Sequence, residues 1–155
     1  MKTKSNAVIL ARVSSKAQED EGYSLDSQLK LLRNYCDNKK LNIVKEFRVS
    51  ETASKYERRK TFKEMLEYIR KNRITHLAAE KTDRFTRNFS DAVAIDHWLE
   101  HNDKRKLHMV KEGLMLHKNS KSDEKLMWSI YRTFALQKKS PCIKAWLQPR
   151  FSVGG

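Results

Sequence analysis

Three groups of residues have the types and spacing for chemistry on an anion. Arg12 and Ser14 stand two apart at the end of the apolar run Ala7-Val8-Ile9-Leu10-Ala11. Arg58 and Arg59 sit together in a charged stretch, and Asp83-Arg84-Phe85-Thr86-Arg87 follows a second apolar run. Phosphoryl transfer develops charge on non-bridging oxygens, and planar, permanently protonated guanidiniums bind such oxygens bidentately. A serine hydroxyl attacks phosphorus when a neighbour lowers its effective pKa and an acid protonates the leaving oxygen. With no histidine in the pattern, arginine and aspartate would share those duties. Any one of these arginines, taken singly, is explained as well by excess positive surface charge.

The elements around these residues must bring them together. The run 7–11 reads as a strand buried on both faces, and the side-chain period of two puts Arg12 and Ser14 on one side. Ser24 is an N-cap candidate for a helix to about residue 40, with Leu25, Leu29, Leu32 and Cys36 as its stripe. Residues 43–49 form a second strand, and residues 50–60 read as a charged loop. Phe62, Met65, Leu66 and Ile69 mark a second helix, and residues 74–79 a third strand. A third helix covers 89–101, with Val93 and Trp98 or Leu99 inward, and residues 107–110 a fourth strand. Leu126, Met127, Ile130, Tyr131 and Phe134 give helical spacing in a last helix, about 122–140, which Pro141 stops. The alternation implies an α/β fold with a mixed, mostly parallel central sheet flanked by helices. In such a sheet, ligands bind at the carboxyl ends of the strands, where all three groups fall.

Composition narrows the partner. The 155 residues suffice for one α/β domain, and 33 Lys and Arg against 19 Asp and Glu leave a net charge of +14. That excess favours a polyanion, nucleic acid first and an anionic membrane surface second. Two cysteines, Cys36 and Cys142, imply a reducing compartment, and no stretch resembles a signal peptide or a membrane span, so a cytoplasmic location is expected. His76, His97, His101, His108 and His117 are scattered and read as structural or surface histidines. Trp98, Trp128 and the Phe and Tyr positions at helical spacing read as core. Lys104-Arg105-Lys106 suits phosphate contact and a solvated turn equally.

Together these stretches resemble the serine site-specific recombinases, the resolvase and DNA-invertase group. Ala11-Arg12-Val13-Ser14-Ser15, Gln18, Tyr23-Ser24-Leu25 and Gln28 resemble the opening motif of its N-terminal catalytic domain. Glu51-Thr52-Ala53-Ser54 and Arg59-Lys60-Thr61-Phe62 resemble the middle segment, and Lys81 to Asn88 the Asp-Arg-x-x-Arg motif. The charged loops are closest in style to the large-serine-recombinase or transposon branch.

The resemblance implies that Ser14 is a nucleophile forming a 5′-phosphoserine link to DNA. It places Arg12, Arg59, Arg84 and Arg87 around the scissile phosphate, with Asp83 as acidic partner and Gln18, Gln28 and Ser54 in support. Ser15 is the rival nucleophile, and strand alternation, which turns it away from Arg12, favours Ser14. Arg58 rivals Arg59. The chemistry implied uses no metal and no cofactor, and the active unit is a homodimer that becomes a homotetramer in synapsis.

In domain terms, residues 1–140 are expected to be the catalytic domain and 141–155 an unassigned, atypical tail. The long helix and DNA-binding domain with which such recombinases continue are not recognisable here. An inactive truncated remnant or a non-catalytic basic DNA-binding module is therefore the alternative, the latter holding DNA through phosphates with steep salt dependence. A small phosphoryl-transfer or nucleotide-binding protein is disfavoured, because no Gly-rich phosphate loop follows the first strand.

Overall fold

The computed structural model describes residues 3–13, 25–50, 53–85 and 88–137. Ser14, Ser15, Gln18, Ser24, Arg87, Pro141 and the tail lie outside the described residues. The elements in chain order are β1 (Ser5–Val13), α1 (Leu25–Asn38), β2 (Leu41–Ser50), α2 (Lys55–Lys71), β3 (His76–Ala79), a 3-10 turn (Thr82–Arg84), α3 (Phe89–Glu100), β4 (Lys106–Met109), β5 (Leu114–Leu116) and α4 (Ser122–Gln137).

The five strands form one sheet in the order β2-β1-β3-β4-β5. The pairs β1–β2, β1–β3 and β3–β4 are parallel, and β4–β5 is antiparallel. The expected mixed, mostly parallel sheet is therefore what forms. β1 lies between two neighbours, so Ala7 to Ala11 are no more than 3% exposed, which is why that run carries no polar residue.

Alternation along β1 divides the core. Val8 and Leu10 face a large cluster with Phe62, Met65 and Ile69 of α2, Ile95 and Trp98 of α3, and Trp128 of α4. Ala7, Ile9 and Ala11 face a smaller cluster with Leu29, Leu32 and Cys36 of α1. α1 thus covers one face of the sheet and the other helices the opposite face.

The structure departs from the sequence reading in several places. The stretch 50–60 is not all loop: α2 begins at Lys55, its first two turns so charged and exposed that no apolar stripe announces them. Ser54 starts that helix by accepting from the Glu57 amide at 3.2 Å, while Glu57 accepts from the Ser54 amide at 2.9 Å. Val93 is exposed, because the inward positions of α3 are Ala92, Ile95, Trp98 and Leu99. On α4 it is Trp128, with Tyr131 beside it, that packs inward, whereas Leu126, Met127, Ile130 and Phe134 face outward. The expectation that aromatic residues at helical spacing are core therefore holds for Trp98, Trp128 and Phe62 but not for Phe134 or Phe89. β5, only three residues long, is additional.

His76 and His108 are satisfied structural histidines. His76 Nδ1 lies 2.9 Å from His108 Nε2, and His108 Nδ1 lies 2.9 Å from the Tyr35 hydroxyl. Among the described residues, no helix is long and apolar enough to cross a membrane.

Candidate active site at the carboxyl edge of the sheet

β1 outruns β3. Their pairing ends at Leu10↔Ala79, whereas β1 stays paired with β2 to Val13. The Arg12 backbone therefore has no strand on one side. Gln28 of α1 takes that place: its Oε1 accepts from the Arg12 amide at 3.2 Å, and its Nε2 donates to the Arg12 carbonyl at 2.8 Å. Gln28 is 5% exposed, so a buried side-chain amide completes the peptide group that the sheet leaves open. This gives the expected supporting residue a specific task.

Arg12 lines a cavity of about 400 Å³ with Val49 at the end of β2, Lys55, Arg58, Arg59 and Phe62 of α2, Arg84 of the 3-10 turn, and Asn88 and Asp91 at the start of α3. Leu10, Ala11, Val49 and Phe62 give it an apolar lining, which strengthens electrostatic interactions with the charged side chains around it. Lys55 and Asn88 bring two helix N-termini to the same space, and these carry partial positive charge. The cationic side chains are Arg12, Lys55, Arg58, Arg59 and Arg84, with Asp91 the opposing carboxylate. Such a cavity suits a phosphate far better than a neutral ligand.

The expected residues divide as follows. Arg12, Arg59 and Arg84 are brought together, and the rival Arg58 joins them. Asp83 does not line the cavity; its Oδ1 lies 3.8 Å from Arg84 Nε. Ser54 is exposed and acts as the cap of α2, a structural task that presents Lys55, Arg58 and Arg59. Ser14, Gln18 and Arg87 lie outside the described residues.

Sequence reasoning missed Lys55, Asn88, Asp91 and Glu80. Asn88 caps α3, accepting from the Asp91 amide at 2.8 Å and donating to Asp91 Oδ2 at 3.1 Å. An Asn three residues before an Asp at a helix start was the available signal. Glu80, 3% exposed, places Oε2 3.4 Å from Arg84 Nη2 and pairs through Oε1 with the Lys111 ammonium. Nothing in the apolar run ahead of it marks Glu80, because its partners are distant in sequence or around a turn.

Among the described residues, no group of three His, Cys, Asp or Glu side chains is placed to hold a metal ion. The Cys36 thiol, buried in the α1 cluster, is pushed up to about 11 by that burial and plays no part in this edge.

The fold agrees with solved structures. The N-terminal catalytic domain of TP901-1 integrase is similar with a TM-score of 0.61 at 20% identity, over 83% of this chain and 93% of that one. A resolvase family site-specific recombinase from Streptococcus pneumoniae is similar with a TM-score of 0.61 at 24% identity, over 92% of this chain and 99% of that one. No curated protein matches the chain. The family description "Resolvase, N terminal domain" matches residues 7–140, and the chain accordingly belongs to the resolvase family of serine recombinases, as its catalytic domain.

Proposed function

We propose that this domain cuts and rejoins DNA through Ser14. The Ser14 hydroxyl loses its proton as Oγ attacks a backbone phosphorus and forms a phosphoserine ester with the 5′-phosphate, while the bond to the 3′ oxygen breaks and that oxygen takes up a proton. Rejoining reverses the step from a new 3′-hydroxyl. Arg12, Arg59, Arg84 and Arg87 hold the non-bridging oxygens and stabilise the charge of the five-coordinate transition state. Asp83 orients Arg84, and Gln18 and Gln28 support the strand end that carries Arg12 and Ser14.

The convergence of Arg12, Arg58, Arg59 and Arg84 on one cavity, at the strand end two residues before Ser14, carries this reading. The partners it implies are DNA and further copies of this chain, a dimer at each site and a tetramer during exchange. The place of action is the cytoplasm.

Covalent trapping tests it. The protein is incubated with duplexes covering the DNA that flanks its reading frame and analysed on denaturing gels. A protein–DNA adduct that Ser15→Ala retains and Ser14→Ala abolishes is the expected result. Salt-sensitive DNA binding with no adduct, equal in wild type and Ser14→Ala, would establish the non-catalytic binding module instead.

A further inference from the structure

We propose that Glu80 is a positioning residue for Arg84: from the end of β3, its buried carboxylate sets the direction in which the guanidinium meets a phosphate. The inference rests on reading the cavity as a phosphate site and adds a residue outside its wall.

Glu80 and Arg84 are withdrawn from water, with side chains 3% and 15% exposed, so their pairing at 3.4 Å is screened far less than a surface ion pair. Arg84 is bracketed by Glu80 near Nη2 and Asp83 near Nε, and its other N–H donors remain for the cavity that it lines. Lys111 on the second Glu80 oxygen distinguishes this arrangement from simple neutralisation. Glu80 and Arg84 alone would cancel, and the cavity would lose a cation. Lys111 offsets the Glu80 charge, so the carboxylate that holds Arg84 does not by itself cancel the guanidinium's pull on an anion.

The turn between β4 and β5 locks the arrangement. The Lys111 amide donates to the Glu80 carbonyl at 2.9 Å, and the Val110 amide to the Ala79 carbonyl at 3.0 Å. Glu112 accepts from the Thr82 amide at 3.1 Å and from the Thr82 hydroxyl. Gly113, at φ +62°, gives that turn a left-handed conformation that glycine adopts without strain. The segment bearing Asp83 and Arg84 is thus tied at the Glu80 carboxylate, the Glu80 backbone and Thr82.

Inorganic phosphate is the probe, titrated into the folded protein and read from the Arg84 Nε–H signal by ¹⁵N NMR, with Arg84→Lys identifying that signal. In wild type we expect hindered rotation of the Arg84 guanidinium and a phosphate-dependent shift. Glu80→Gln adds one net positive charge near the cavity, so a field effect alone would tighten phosphate. Loss of positioning instead weakens it, by about tenfold, at temperatures well below melting. Unchanged or tighter binding in Glu80→Gln overturns the proposal.

Glu80→Asp keeps the charge on a side chain one methylene shorter, and it too should weaken phosphate; wild-type affinity there overturns the proposal equally. A freely rotating Arg84, or no shift with phosphate, does so on wild type alone. Because Ser14→Ala should give the same titration, failure of the covalent chemistry and failure of this inference are separable.

Discussion

Gln28 shows how one side chain can hold the carboxyl edge of a sheet. Its amide supplies both a donor and an acceptor to the Arg12 backbone where the pairing with β3 has ended. Gln28→Ala leaves a part-buried N–H and C=O without those partners, and such groups cost about 1–3 kcal/mol each when unsatisfied. We expect denaturant melts to show a loss of this size and the adduct rate to fall further than the stability does, because the displaced backbone carries Arg12 and leads into Ser14. Gln28→Glu keeps the acceptor and removes the donor, so it should fall between the two. An adduct rate unchanged in Gln28→Ala would show that the clamp only stabilises. At the rival pair, Arg59→Ala should slow adduct formation about 10²- to 10³-fold, the usual effect of deleting one donor to a developing oxyanion. Arg58→Ala should do less, since Arg58 also lines a neighbouring groove with Lys60 and Glu64. The reverse ranking would assign the role to Arg58.

At the scale of elements, the charged start of α2 depends on its cap. Ser54→Ala removes the bond from the Glu57 amide and should cost about 1 kcal/mol in a urea melt, with Ser54→Asp retaining most of it. The buried histidine pair makes a pH prediction. Burial holds His76 down to about 4 and His108 to about 3, with Lys106 opposing protonation of both and Lys39 that of His108. Their folded values lie below the unfolded value near 6.5, so the unfolded chain binds more protons between roughly pH 6.5 and 3. Stability therefore falls as pH drops through that window, each proton contributing about 1.4 kcal/mol per pH unit. His108→Gln should flatten the slope, and an unchanged slope would place the effect in the carboxylates. These elements also show what a sequence discloses. β1, α1 and β3 were legible because their apolar residues repeat with the period of the structure, and Arg12 and Arg84 because they end those runs. The start of α2, β5, Glu80 and Lys111 were not: their partners lie elsewhere in the fold, and no local period records them.

For the whole molecule, the open question of assembly turns on the apolar surface that the fold leaves outside. Leu126, Ile130 and Phe134 are spaced along one side of α4 and are exposed, with Met127 beside them. α4 is anchored by its other side, where Trp128 Nε1 donates to Asp96 Oδ1 of α3 at 2.9 Å and Arg132 pairs with the same carboxylate. Phe89, Val93 and Asp96 share a face of α3 by their spacing, and Phe89 and Val93 are exposed as well. Two adjoining helices thus present large side chains to solvent, a surface of the kind that marks an interface. α4 also packs on the Thr82–Arg84 turn, so a second copy seated there would bear on the segment that holds Arg84. If that surface is the dimer face, sedimentation equilibrium should show a concentration-dependent dimer, and the melting temperature should rise with protein concentration. Ile130→Glu with Phe134→Glu should leave a folded monomer whose melting no longer depends on concentration, because both positions are exposed in the single chain. A wild-type chain that stays monomeric at high micromolar concentration would leave those side chains without an occupant from its own kind.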